Sequence, residues 1–167
     1  MLRLLTHRYT LRVSLSALAV ALLTAGLLTH RSTTGRPAPP LPSRALIGRP
    51  ITLADLRGRA AVVVFWSPSC IPCHQEAPAI ERFAQSPAGR GRIVAVDADY
   101  TGAWSAFVHA YHWSFPVLAD PELSVTDAYR VLGLPTTVFL DPAGHIATVS
   151  PGPQTVTTLT KRLAAAA

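Results

Sequence analysis

A buried strand that runs directly into a pair of cysteines is the feature that most restricts the fold of this chain. Residues 61–66 read AVVVFW, an unbroken β-branched and aromatic run typical of a strand buried on both faces. Residues 67–69, SPS, interrupt this run, and the pattern becomes helical from Cys70 onward. Pro72 falls in the first turn of that helix, where a missing N–H costs nothing. The sequence therefore predicts that a strand delivers a C-x-x-C pair to the start of a helix.

This position has a chemical consequence for the first cysteine. The first turn of a helix carries unpaired N–H groups and the positive end of the helix dipole, and both favour an anion. A thiolate at Cys70 should be stabilised there, with a pKa below the free value of ~8.5, so that Cys70 is the expected nucleophile of thiol–disulfide exchange. Cys73 lies one turn further in and is expected to be the shielded, resolving thiol. The chain has two cysteines, so this pair accounts for any redox-active disulfide within it.

Structural and ligand-binding interpretations of the pair compete with a redox role. A structural pair is disfavoured because the cysteines sit at a strand-to-helix corner rather than on an apolar face. Zinc requires four ligands, and the chain has no second cysteine pair, so no metal site is predicted. Cys73 and His74 complete C-x-x-C-H, the attachment motif of c-type haem. The strand upstream argues against haem, and Met1 is the only methionine, but a histidine as second ligand stays open: His109, His112 or His145.

The net charge of +6 does not indicate a nucleic-acid partner, because the charge is unevenly placed. Residues 1–43 contain five arginines and no acidic residue, which leaves ten basic and nine acidic residues from Arg44 onward. No cluster of basic residues with interleaved aromatics occurs in this second part. We therefore expect no nucleic-acid binding.

The N-terminal part of the chain predicts a membrane anchor. Residues 13–28 contain no charge and follow three arginines. This pattern makes residues 1–30 a signal-anchor or transmembrane segment, although a cleaved signal peptide stays open because sixteen residues are fewer than the ~20 of a typical span. The arginines place the N-terminus in the cytoplasm, which predicts a single-pass protein of the cytoplasmic membrane with its catalytic domain on the periplasmic side. Residues 31–43 are rich in proline and predict an extended tether, followed by the domain at residues 44–167.

Strands and helices alternate through the domain. Parallel βαβ units followed by an antiparallel hairpin predict an α/β fold with a mixed sheet covered on both faces. Beyond the central strand, we predict strands at residues 93–96, 115–118 and 145–149, and a turn that leads into a strand within residues 132–140. Helices are predicted at residues 71–85, 103–111, 122–130 and from 153 onward.

Three motifs together resemble a known family. They are FWSPSCIPC at residues 65–73, followed by Glu76 and Pro78; GLPT at residues 133–136; and DPAG at residues 141–144. This combination resembles the thioredoxin-like superfamily. It is most similar to the membrane-tethered, extracytoplasmic oxidoreductases of the TlpA, ResA and DsbE type.

The resemblance covers nearly all of Leu46 to Leu163 and implies a thioredoxin-like fold. In that fold a central mixed β-sheet is flanked by helices on both faces. Residues 99–130 fit a central αβ insertion of the family, since a minimal thioredoxin is shorter there. The resemblance implies no cofactor.

The resemblance also implies a substrate-binding surface. In the family the proline that corresponds to Pro135 is cis and lies against the cysteine pair. A cis proline there would present a backbone edge to a substrate strand. Pro135, Thr136 and Trp66 are therefore the expected substrate-binding residues.

Cys70, Cys73 and Glu76 are the expected catalytic residues. Glu76 lies three residues after Cys73, the spacing of neighbours on a helix face, and could carry a proton to the resolving thiol. The alternative is an acid of the first helical turn, favoured there by the helix dipole. His74 could stabilise Cys70 as a cation or could be a solvated histidine. Val64 stands where thioredoxin has a buried acid, so that proton carrier is absent.

The expected function is that of a thiol:disulfide oxidoreductase that reduces disulfides in exported proteins or in apocytochrome c. Its own reduction would come from a membrane electron donor, such as a thiol-reductant transporter. A disulfide oxidant or isomerase of the same fold stays open, because the residues 71–72 between the cysteines influence the redox potential without fixing it. A haem- or copper-binding module also stays open. Copper carriers of this fold resemble C-x-x-x-C, and this spacing differs.

Overall fold

The computed structural model describes residues 35–99 and 101–167, and a six-stranded mixed sheet lies at the centre of this part of the chain. The order across the sheet is β1-β4-β3-β2-β5-β6. The strands are β1 (Arg44–Ile47), β2 (Ala61–Trp66), β3 (Ile93–Asp97), β4 (Val117–Ala119), β5 (Thr136–Leu140) and β6 (Ile146–Pro151). The helices are α1 (Leu53–Leu56), α2 (Ile71–Gln85), α3 (Trp104–Ala110), α4 (Ser124–Ala128) and α5 (Val156–Ala165).

Strand β2 is the central strand, and every one of its six residues is buried. It pairs parallel with β3 and antiparallel with β5. Because side chains alternate along a strand, Val62, Val64 and Trp66 pack under α2 and α5, while Val63 and Phe65 face the opposite layer. The predictions of a doubly buried strand and of a mixed sheet covered on both faces are confirmed.

The strand register brings three loops to one end of the sheet. Trp66, the last residue of β2, is the partner of Asp97, the last residue of β3. Phe65 is the partner of Thr136, the first residue of β5. The loops that follow β2 and β3 and the loop that precedes β5 therefore meet at the end where the cysteines lie.

The segment between β3 and β5 adds α3, β4 and α4 to the sheet. Strand β4 pairs parallel with β3 and antiparallel with β1, as expected for an αβ insertion. Helix α4 begins at Ser124, later than the predicted 122, because the carboxylate of Asp120 accepts the backbone N–H groups of Val125 and Thr126. Helix α5 likewise begins at Val156 rather than at 153, because the Thr155 hydroxyl accepts the N–H of Thr158 and caps the helix.

The predicted tether requires a correction over its C-terminal part. Gly35 N and Arg36 O form hydrogen bonds with Ile146 O and N, at 2.7 and 2.9 Å. The Tyr129 hydroxyl donates to Pro39 O at 2.8 Å, and Ala38 is buried. These residues pack on the domain, which thus extends further towards the N-terminus than the predicted start at residue 44.

The predicted membrane anchor at residues 1–30 lies outside the described residues. Within residues 35–99 and 101–167, no helix combines the length and the hydropathy that a membrane span requires. The anchor and the periplasmic location therefore stay predictions.

Replacing Gly89 by alanine is expected to destabilise the fold. A Cβ at this position would lie 2.9 Å from Phe83 Cδ1 and 2.8 Å from the carbonyl carbon of Phe83, in the last part of α2. Overpacking of this kind costs about 1–3 kcal/mol of the free energy of unfolding, measured by urea denaturation. Gly133→Ala is the matched control, since no atom lies within 4 Å of its added Cβ. Equal losses at the two positions would contradict this packing argument.

Candidate active site

Cys70 and Cys73 form a disulfide at the N-terminus of α2. Cys70 is the N-cap residue, and its Sγ accepts the backbone N–H of Cys73 at 3.2 Å. Cys70 is half-buried, whereas Cys73 is 2% exposed. The predicted placement of the pair at a strand-to-helix corner is therefore confirmed. The same N–H also donates to Cys70 O at 3.0 Å, so Cys70 Sγ shares a donor of the first helical turn, and such a donor stabilises a thiolate.

The loop Ser67–Ser69 connects β2 to Cys70 and is held by side chains outside the motif. Ser67 Oγ donates to Asp99 Oδ2 at 3.0 Å, and Ser69 Oγ donates to the same oxygen at 3.4 Å. Cys70 N donates to Ser67 O at 3.2 Å. The hydroxyls of Ser67 and Ser69 thus join the segment before Cys70 to the loop that follows β3.

His74 forms a second set of contacts to this loop. Its Nε2 lies 2.9 Å from Pro68 O, and its Nδ1 lies 2.9 Å from the Tyr111 hydroxyl. The imidazole ring also packs on the ring of Phe107, with centroids 4.7 Å apart. The alternative of a merely solvated histidine is therefore wrong: the residue is exposed, but both ring nitrogens are bonded to protein groups.

Glu76 is a buried acid on the second turn of α2. It is 2% exposed, and its Oε1 accepts the backbone N–H of Gln154 at 2.8 Å. Burial raises the pKa of Glu76 to about 7, although the hydrogen bond from Gln154 opposes this shift. The alternative of a first-turn acid is wrong, because α2 begins at Ile71 and its first turn contains no acidic residue. A carboxyl that titrates near neutral pH is suited to carry protons, and this role of Glu76 stays a prediction.

Asp97 is a second buried acid that the sequence analysis did not identify as a site residue. It is 2% exposed, and no described atom forms a hydrogen bond with its Oδ1. Burial and the nearby Asp99 carboxylate raise the pKa of Asp97 to about 7. Burial also acts to raise the pKa of Asp99, but hydrogen bonds from Thr101, Ser67 and Ser69 outweigh it and lower that pKa. The sequence did contain a signal for Asp97: it is an acidic residue at the end of an otherwise apolar, buried strand.

The side chains predicted to bind substrate are mostly inaccessible. Trp66 is 1% exposed and is covered by Phe107 and Trp113, whose ring centroids lie 4.3 and 4.9 Å away. Thr136 is 2% exposed, and its hydroxyl donates to Gly133 O. The prediction that Trp66 and Thr136 contact a substrate is therefore wrong, because both side chains belong to the core.

The loop before β5 contributes backbone to the surface instead. The Leu134–Pro135 peptide bond is cis, Pro135 is buried, and Pro135 O accepts the N–H of Gly152 at 2.8 Å. Leu134 is half-buried, and its backbone forms no hydrogen bond with the described residues. Two large apolar side chains of the described chain are exposed, Ile71 at 72% and Leu132 fully, and both flank this end of the sheet.

The histidines considered as haem ligands are dispersed. His145 pairs with Asp141 at 3.4 Å in the β5–β6 hairpin. His109 and His112 line a cavity of about 450 Å³ with Trp104 and Trp113 beside α3. Within the described residues, no three histidine, cysteine or acidic side chains come together as metal ligands.

Known proteins are similar to this chain over most of its length. A family model described as the AhpC/TSA family matches residues 34–149. The thioredoxin-like protein YneN of Bacillus subtilis is 32% identical over 135 residues, which are 77% of this chain and 78% of that protein. The thiol-disulfide oxidoreductase ResA of Bacillus thuringiensis is 34% identical over 123 residues, 72% of this chain and 71% of that protein. The structure of a candidate thiol:disulfide interchange protein DsbE from Chlorobium tepidum has a TM-score of 0.69 and 28% identity, and the match covers 80% of this chain and 96% of that one.

The pH dependence of stability is expected to report the buried carboxyl of Glu76. Between about pH 4.5 and 7 the unfolded chain has lost this proton while the folded chain keeps it, so the free energy of unfolding falls as the pH rises. The total loss of unfolding free energy from Glu76 is on the order of 3 kcal/mol; it is absent below pH 4.5 and complete above pH 7. Glu76→Gln should make the fall smaller in urea denaturation at pH 5 and pH 8.

Asp97 contributes a fall of the same sign, because its pKa is also raised to about 7. Glu76→Gln should therefore keep part of the pH dependence, and adding Asp97→Asn should remove most of the rest. If Glu76→Gln has the same pH dependence as the wild-type protein, Glu76 does not have a raised pKa.

Proposed function

The chain belongs to the AhpC/TSA family of thioredoxin-like proteins and is a thiol-disulfide oxidoreductase of the TlpA, ResA and DsbE type, and from this premise we propose that it reduces disulfides in exported proteins. The observation that carries the proposal is the disulfide at the N-terminus of α2, in which Cys70 is half-buried and Cys73 is 2% exposed. This arrangement separates the attacking thiol from the resolving thiol.

The reaction transfers two electrons from the reduced pair to the substrate. The Cys70 thiolate attacks one sulfur of a substrate disulfide, a mixed disulfide forms, and the first substrate thiolate leaves and takes up a proton. Cys73 then loses its proton and attacks Cys70 Sγ. The Cys70–Cys73 disulfide forms, and the second substrate thiolate leaves. The structure contains this oxidised product, which a dithiol donor must reduce before the next cycle.

The second step requires a base close to a thiol that water does not reach freely. Cys73 is 2% exposed, so its proton must pass to a protein group. Glu76 lies three residues further along α2, and its pKa of about 7 suits both uptake and release of a proton at neutral pH. We assign this proton transfer to Glu76.

The substrate surface consists of backbone at Leu134 and apolar side chains beside it. The unpaired backbone groups of Leu134 suit an extended substrate segment that pairs with them as an added strand. Ile71 and Leu132 are exposed and suit an apolar residue next to the substrate cysteine. Reduced cysteines of apocytochrome c would be one product of such a reaction.

The location outside the cytoplasmic membrane rests on the sequence of the first 30 residues. The uncharged run at residues 13–28 and the three preceding arginines support a single-pass anchor with the domain on the periplasmic side. A membrane electron donor, such as a thiol-reductant transporter, would then supply the electrons.

The redox potential of the pair tests the direction of the reaction. Equilibration of the purified protein with dithiothreitol should give a potential close to the ~−270 mV of a reductant. A potential close to the ~−120 mV of a strong oxidant would overturn the proposed direction and favour a disulfide oxidant. Cys73→Ser is the control, since it removes the intramolecular disulfide and should show no two-electron equilibrium.

A membrane-impermeant maleimide tests the nucleophile and the location in one experiment. In intact cells treated with a reductant, the reagent should label Cys70 and leave Cys73 unlabelled. Cys70 is half-buried and favoured as a thiolate, whereas Cys73 is 2% exposed. Cys70→Ser should abolish the label. Labelling only after the cytoplasmic membrane is broken would contradict the periplasmic location, and preferential labelling of Cys73 would contradict the assigned nucleophile.

A further inference from the structure

The three-residue loop Ser67–Ser69 determines where Cys70 lies. It is the direct covalent connection from the end of β2 to the nucleophile, and Cys70 N donates to Ser67 O at 3.2 Å. Ser67 is 5% exposed, and Ser69 N donates to Ser67 Oγ at 3.2 Å, so the loop folds back on its own first residue. Whatever holds Ser67 and Pro68 therefore positions Cys70.

Asp99 holds one side of this loop with an ionised carboxylate. Its Oδ2 accepts the hydroxyls of Ser67 and Ser69, and its Oδ1 accepts the backbone N–H of Thr101 at 2.6 Å. The lowered pKa of Asp99 keeps it ionised at neutral pH. Hydrogen bonds to a carboxylate are stronger than those between neutral groups. Asp99 thus holds the loop with a charged group that contacts Ser69, the residue immediately before Cys70.

Tyr111 holds the other side through His74. Pro68 O only accepts hydrogen bonds, so His74 Nε2 carries the proton in this contact. Nδ1 then accepts a hydrogen bond from the Tyr111 hydroxyl when the ring is neutral, or donates one when it is charged. The Tyr111 hydroxyl can therefore keep this hydrogen bond whether His74 is neutral or charged. The Phe107 ring packs on both the His74 and the Tyr111 rings, with centroids 4.7 and 4.8 Å away, and fixes their orientation.

We propose that Asp99 and Tyr111 are positioning residues for Cys70, which hold the loop Ser67–Ser69 from two sides and thereby set the redox potential of the Cys70–Cys73 pair. Both belong to the αβ insertion at residues 99–130, which the C-x-x-C motif does not include. The insertion is in this sense part of the redox site. The proposal rests on the redox activity of the cysteine pair and is independent of the direction and the location proposed above.

The charge of Asp99 gives the proposal a direction. The Asp99 carboxylate is bonded to Ser69, the residue before Cys70, and a negative charge there opposes the Cys70 thiolate. A less stable thiolate makes the reduced pair a stronger reductant. Asp99→Asn keeps an oxygen that accepts hydrogen bonds but removes the charge. This variant should make the pair more oxidising, with at least a tenfold change in its equilibrium constant with glutathione, which corresponds to about 30 mV.

Asp120→Asn is the matched control for this substitution. Asp120 is 3% exposed, and its carboxylate accepts hydrogen bonds from residues 124–126, so it resembles Asp99 in burial and bonding but does not contact the loop. We expect both variants to melt at lower temperature, and we expect Asp120→Asn to change the equilibrium constant by less than twofold.

Tyr111→Phe tests the second side of the loop with the aromatic packing retained. The variant loses the hydroxyl that His74 contacts and should change the equilibrium constant by at least threefold. Tyr129→Phe is its control, because the Tyr129 hydroxyl donates to Pro39 O on the opposite face of the sheet.

The proposal is overturned if Asp99→Asn shifts the equilibrium constant no more than Asp120→Asn does, or if Tyr111→Phe shifts it no more than Tyr129→Phe does. Lower melting temperatures without these shifts would mean that the two residues only stabilise the fold. A wild-type redox potential near that of an oxidant would instead contradict the proposed reduction of substrates, and the comparisons between variants and controls would still test the positioning role.

Discussion

The hydrogen-bonded pairing of β2 on both of its sides is the constraint on which the active site depends. A strand that is paired with β3 and β5 and buried on both faces cannot shift along its axis without breaking both ladders. The position of its last residue, Trp66, is therefore fixed, and the three-residue loop that follows restricts where Cys70 can lie. The helix that begins at Ile71 then supplies the N–H that reaches Cys70 Sγ. Reactivity at one sulfur thus follows from the packing of the strand behind it.

A second feature of the site is a pair of buried carboxyl groups that keep their protons up to about neutral pH. Glu76 on α2 and Asp97 on β3 are each 2% exposed, and both have a pKa raised to about 7, chiefly by burial. Asp97 also lies, by strand alternation, on the sheet face that α2 covers. Reduction of a disulfide requires two protons, and one of its sulfurs is shielded from water here. Glu76 and Asp97 are two carboxyls of this region that titrate near neutrality, and Val64 occupies the position of the buried acid of thioredoxin.

Local patterns in the sequence were sufficient for the central strand, for the full extent of α2 and for the position of both cysteines. These features depend on neighbouring residues: a β-branched run, a proline in the first turn and a four-residue motif. Trp66 and Thr136 were misjudged because resemblance identifies a position in the fold and not its exposure. The cover over Trp66 comes from Phe107 and Trp113, which lie 41 and 47 residues further along the chain. The contacts of Asp99 and Tyr111 with the loop before Cys70 also join distant segments, so no short-range pattern predicts them.

The residues that pack against β6 have a consequence for the association of this protein with other chains. Strand β6 is at the edge of the sheet, and the unpaired backbone groups of an edge strand can pair with a strand of another molecule. Gly35 and Arg36 form hydrogen bonds with the backbone N–H and C=O groups of Ile146, and Pro37 forms a β-bridge with the neighbouring His145. Proline has no N–H to offer an incoming strand. This short segment therefore shields the start of β6 from intermolecular pairing. In a shortened chain that begins at residue 44, the backbone groups at the start of β6 would be free to pair with a strand of another molecule.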